Sequence, residues 1–198
     1  MRRLVRVLSR RSDVHGVPVF DFLGTGREDP SFRPKLGEAM ALLAAHDQRT
    51  LDRLRRLTVG VVLFDHPRLY GSWNAASGEI RLSPSTFARS PATELASTIV
   101  HEATHAWLCA LGFGDRQDRR HRIESICYRR EAAFARRVPG GGELAELYDI
   151  CASNALAEGP AAYSPRARRE LDLQALADLG APSWVIRLLG SIVRRGSA

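Results

Sequence analysis

Cysteine is scarce in this chain: Cys109, Cys127 and Cys151 are odd in number and include no Cys-x-x-Cys pair. That argues against a disulfide framework or a cysteine-based zinc knuckle, and it fits a reducing, cytoplasmic setting. Long apolar runs are lacking as well. The N-terminal stretch Met1-Arg2-Arg3-Leu4-Val5-Arg6-Val7-Leu8 is basic. Arg6 breaks it before it reaches the about 7–15 apolar residues of a secretory signal. Nothing further along approaches the about 20 apolar residues that span a bilayer, so no membrane role is expected. Lysine is all but missing, since Lys35 is the only one. The arginines that carry the positive charge are nowhere interleaved with aromatics, as a binder of single-stranded nucleic acid requires.

What is present is an ordinary globular composition. Hydrophobic residues at 44% over 198 positions supply a core for one domain without staples. A net charge of +7 and a pI of about 10.1 bring nucleic acid into consideration as a partner. The arginines fall in scattered pairs such as Arg55-Arg56, Arg129-Arg130 and Arg136-Arg137, several at helical spacing beside acids. Ion-paired, solvated faces are therefore the favoured reading, and nucleic acid is not. Oligomeric state is left open.

Turn formers at Gly16, Pro18, Gly24, Gly26, Pro30 and Pro34 mark residues 1–35 as an N-terminal arm, with a short strand near Val17–Phe22. The stripe Leu36, Met40, Leu43, Leu51, Leu54 and Leu57 predicts a helix over Leu36–Leu57. The β-branched run Thr58–Phe64 predicts a strand. A turn-rich stretch, His66–Gly78, precedes Glu79–Ser83, whose alternation predicts a half-exposed strand. Helices are predicted at Glu94–Leu111 and Arg119–Val138, then Glu143–Ala157, Pro165–Leu179 and Pro182–Arg194. The glycines at 140–142 divide a body, 36–139, from a helical C-terminal extension, 140–198, packed on the same domain.

The chemistry lies in His101-Glu102-Ala103-Thr104-His105. Positions four apart on a helix share a face, so the two imidazoles project together, one turn apart, and can hold one zinc ion (Zn2+). Glu102 is turned about 100° from His101, too far to join that face. It lies beside the metal, where a carboxylate can take a proton from water. A catalytic zinc wants a third protein ligand. Glu124, Cys127, Tyr128 and Glu131 form one stripe on the following helix. An antiparallel return sets Glu124 opposite His105, and Tyr128 near His101. Glu124 is the preferred third ligand. Glu131 is its rival, or else accepts a hydrogen bond from a ligand imidazole. Asp115 is a weaker candidate, Cys127 reads as a packing residue, and His121 reads as a surface residue. The metzincin pattern is excluded, because Leu108 and Leu111 stand where it needs a glycine and a third histidine.

His101-Glu102-Ala103-Thr104-His105-Ala106-Trp107, followed by a glutamate on the next helix, resembles the gluzincin group of HExxH zinc metallopeptidases. Glu131-Ala132-Ala133-Phe134-Ala135 resembles, more loosely, a stretch of the minimal regulatory peptidases that cleave repressors. The likeness covers roughly 57–139. The thermolysin-type Asn-Glu-x-x-x-Asp signature is absent, since Ile123 precedes Glu124 and Tyr128 follows it. The resemblance implies a zincin-like α+β catalytic domain, a small mixed sheet packed on the active-site helix. It implies a peptidase that cleaves peptide or protein substrates with zinc-activated water and Glu102 as base. It also implies that Glu79, Ile80 and Arg81 form an edge strand that takes up substrate by strand addition. Tyr128, Tyr148, Tyr163 and His121 are candidate oxyanion donors. The competing readings are a basic DNA-associated zinc protein and a catalytically inactive, peptide-binding zincin-like module.

Overall fold

In the computed structural model the described residues are 9–22, 31–64, 70–114 and 117–162. The helices expected at Pro165–Leu179 and Pro182–Arg194 lie outside them, as do Asp115 and Tyr163.

The described chain begins with a hairpin. β1 (Ser9–Val14) and β2 (Val17–Phe22) pair antiparallel across His15 and Gly16. Both turn residues have positive φ, 52° and 76°, the tight two-residue geometry whose twist matches its flanking strands. Val17 and Val19 then enter the core. The segment expected as an arm thus contributes two strands to the sheet. β1 escaped the sequence reading because Ser-Arg-Arg-Ser-Asp-Val carries no apolar alternation.

The Leu36–Leu57 stripe is two helices, α1 (Phe32–His46) and α2 (Gln48–Leu57). Asp47 separates them at φ −151°, ψ 60°. Its carboxylate caps α2, accepting from Thr50 N at 3.3 Å and Thr50 Oγ1 at 2.9 Å. Leu36, Leu43, Leu51 and Leu54 all enter one core, so the apolar period survives the break and conceals it.

β3 (Gly60–Leu63) is followed by a hairpin of β4 (Gly71–Asn74) and β5 (Glu79–Leu82). The five strands lie in the order β1-β2-β3-β5-β4. β2–β3 and β3–β5 are parallel, while the outer pairs are antiparallel. The molecule is mixed α+β. Its topology corrects the expectation of an edge at Glu79–Ser83. β5 is bonded on both sides, Ile80 opposing Val61 of β3 and Trp73 of β4. Glu79, Ile80 and Arg81 therefore have no open backbone ladder for an added strand. The edge beside them is β4, hidden in the sequence by its brevity and turn-forming residues. Asn74 ends it by accepting from Ala76 N at 3.0 Å and Ser77 N at 3.2 Å.

Val61, Leu63, Ile80 and Leu82 meet α1 through Leu36, Met40 and Leu43. They meet α3 (Ala92–Ala110) through Ile99, Val100 and Ala103. Against α3 lies α4 (Arg120–Ala135), and against α4 lies α5 (Gly142–Ala162). The α4–α5 contact uses Ala132, Ala135, Ala145 and Tyr148. No described helix is long and apolar enough to cross a membrane.

Candidate metal centre

Every residue of α3 from Leu95 to Ala106 is buried. A helix enclosed on all sides is normally apolar all round. Here Ser97, Thr98, His101, Glu102, Thr104 and His105 are enclosed too. The histidines sit in the α3–α4 interior, 8% and 7% exposed. The helix gives a stripe of Ala96, Ile99, Val100 and Ala103 to the main core. The stripe ends there, because Leu111 is exposed where the helix stops.

Buried polar groups need partners, and α4 supplies them. His101 Nε2 is 3.1 Å from Glu124 Oε2, and His105 Nε2 is 3.4 Å from the same oxygen. His101 Nδ1 is 2.9 Å from Glu131 Oε2. Arg120 Nε donates to the other Glu124 oxygen at 2.5 Å. The His101 and His105 rings are 4.9 Å apart, and Tyr128 meets His101 edge-on at 4.9 Å. The two carboxylates thus differ in placement. Glu124 touches both imidazoles, while Glu131 reaches only the far nitrogen of His101.

The electrostatics follow. Burial disfavours a charged His101, but Glu131 and Glu124 override it and raise the imidazole well above its ordinary value. Burial would likewise raise Glu124, yet hydrogen bonds from His101 and His105 hold its carboxyl far below the usual range. In Glu131 burial prevails over the attraction of His101, and its carboxyl is raised. Cys127, wholly buried between the two glutamates, is held as a thiol by burial first and by Glu124, Glu102 and Glu131 next. Glu102, Glu124 and Glu131 are all buried here, and among the described residues Arg120 is the fixed cation bonded to them. Such a cluster calls for more positive charge.

A cation fits the donors. Around a tetrahedral zinc with bonds of about 2.0–2.1 Å, donor atoms stand about 3.3 Å apart. The 3.1 and 3.4 Å between Glu124 Oε2 and the two Nε2 atoms bracket that spacing. Glu131, by accepting from Nδ1–H, would turn the Nε2 lone pair of His101 toward the ion. His101, His105 and Cys127 also form a group whose donor atoms lie within 4.8 Å of one another.

Glu102 is buried on the same turn, and its charge acts on His101, Cys127 and Glu131. A Cβ built on Gly71 would sit 3.3 Å from Glu102 Cγ and 2.9 Å from Thr98 Cγ2, so β4 runs directly over this turn of α3. Sequence reading overlooked Gly71, for a lone glycine in a turn-rich stretch gives no sign of close approach. Of the other expected candidates, Tyr148 is buried with Glu131 among the charges acting on it, and His121 is half-buried.

No family model matches the chain, and no curated protein and no solved structure matches it significantly.

Proposed function

We propose that this chain is a zinc-dependent metallopeptidase of gluzincin-like type, built on a zincin-like arrangement of sheet and active-site helix. His101, His105 and Glu124 would hold the metal, with Glu131 fixing the His101 ring. The observation that carries the reading is the convergence of one Glu124 oxygen on both Nε2 atoms at tetrahedral spacing.

When bound, zinc would supply a Lewis acid that acidifies water and polarises the scissile carbonyl. The chain's own residues do the rest. Glu102 takes the proton of the attacking water and delivers it to the leaving amine. Its neighbour β4, the outermost strand on that side among the described residues, would offer its edge to an extended peptide, the part first assigned to Glu79, Ile80 and Arg81. Tyr128, beside His101, is the favoured donor to the developing oxyanion among the candidates named from sequence. The three cysteines are free of disulfides, which agrees with a cytoplasmic setting.

Zinc content and peptide cleavage, measured on the native chain and on Glu102→Gln, test this. About one zinc per chain is expected in both, with turnover only in the native protein. Equal turnover in the two would remove Glu102 from the mechanism, and a native chain without zinc would remove the class. Zinc in both with turnover in neither would leave an inactive peptide-binding module.

A further inference from the structure

We propose that Cys127 Sγ is itself a metal donor, completing a His101–His105–Glu124–Cys127 set and closing the fourth coordination position of the resting site. The inference rests on the reading of His101, His105 and Glu124 as metal ligands.

Cys127 lies on the α4 stripe between Glu124 and Glu131, the stripe that faces His101 and His105. Leu108 and Ile123 pack against one side of it, as they would against a filler residue. Its sulfur and the histidine donor nitrogens lie within 4.8 Å of one another. Zinc with bonds of about 2.3 Å to sulfur and about 2.0–2.1 Å to nitrogen sets these atoms about 3.5 Å apart. Closing from within 4.8 Å to that spacing takes at most about 1.3 Å, the scale of a side-chain torsion.

Two neutral imidazoles, one carboxylate and one thiolate carry two negative charges, which match a divalent cation within the ligand set itself. As the sulfur–metal bond forms, the thiol proton leaves to solvent and no electron is transferred. Sulfur also selects for zinc over hard ions such as magnesium or manganese. With sulfur in the fourth position water is excluded, so cleavage requires Cys127 to swing away. The cysteine is then a gate on the site.

Cobalt substitution of the full chain reads this directly. Native protein and the Cys109→Ser/Cys151→Ser double variant are expected to show a near-ultraviolet sulfur-to-cobalt charge-transfer band. Cys127→Ser should bind about one cobalt with that band lost, since three donors remain. A band that persists in Cys127→Ser overturns the proposal. Zinc-edge X-ray absorption on the native protein needs no variant to fold: one sulfur at about 2.3 Å supports the proposal, and nitrogen and oxygen alone overturn it. Metal held by nitrogen and oxygen alone sinks only the role of Cys127. Failure of the native chain to bind either metal sinks the ligand assignment as well.

Discussion

Glu124 and Glu131 are one residue type on one helix face, yet their contacts divide the work. Glu124 Oε2 lies between two Nε2 atoms, and Glu131 meets His101 at Nδ1. On the proposed ligand set, Glu124→Ala would remove a donor and is expected to weaken zinc binding by about 100-fold or more, whereas Glu131→Gln, which would disturb only the His101 ring, should cost about 10–100-fold. Competition with a chromophoric chelator ranks the two, and a larger loss in Glu131→Gln would exchange their roles. Asp47 is the corresponding residue for stability. It caps α2 through Thr50, accepts from Arg137 Nη2 at 2.9 Å, and has Arg130 at 3.6 Å. Both arginines are partly exposed, so most of its worth lies in the cap and the buried hydrogen bonds. Asp47→Ala should lower stability by about 2 kcal/mol, read as a lower urea midpoint at unchanged m-value.

At the scale of elements, the decisive contact is β4 over α3. Gly71 leaves room for Thr98 and Glu102 where any Cβ would press on both. Gly71→Ala is expected to displace Glu102 while the histidines and Glu124 keep their places. It should cost about 1–3 kcal/mol of stability, lower kcat more than KM, and leave zinc content unchanged. Loss of zinc would mean that β4 supports the metal-binding turn itself. The same strand carries the proposed peptide edge, so Gly71 would link substrate docking to Glu102, the proposed general base. At the other end of the body, the approach of α5 to α4 depends on small residues. Gly141 lies against the Ala135 carbonyl, where no Cβ fits, and Ala132, Ala135 and Ala145 bring α5 close.

For the whole molecule, the proposed metal site would couple binding to folding through the buried cluster. An ion bound only by the folded chain, at a free concentration 100 times its Kd, adds about 2.7 kcal/mol. At about 2–4 °C per kcal/mol for a chain of this size, chelation should lower the melting temperature by about 5–10 °C. Calorimetry with and without chelator checks this, and Glu102→Gln should show the same shift, because Glu102 is not among the proposed ligands. The surface charge is of another kind. Arg33–Asp21, Arg55–Asp52 and Arg136–Asp149 are paired, as expected of ion-paired faces. The one lysine, Lys35, donates to the Phe87 carbonyl at 2.5 Å and the Ala88 carbonyl at 3.0 Å. It pins α1 to the short turn before α3.

Much of this was readable from local pattern. The five residues from His101 to His105 set two imidazoles on one helical face, because that follows from 3.6 residues per turn and nothing else. The β-branched run gave β3, the alternating segment gave β5, and the i, i+3, i+7 stripe of Glu124, Cys127 and Glu131 told which face of α4 mattered. Periodicity does not report a break that keeps the apolar phase, so Asp47 and the division into α1 and α2 went unseen. Nor does it report which strand lies outermost: β4 and β5 differ in the sheet only by their partners, and those come from distant sequence. The differing contacts of Glu124 and Glu131 were likewise decided only in tertiary structure, for they depend on how far α4 slides along α3. Sequence determined which side chains share a face, and tertiary packing decided which of their atoms meet.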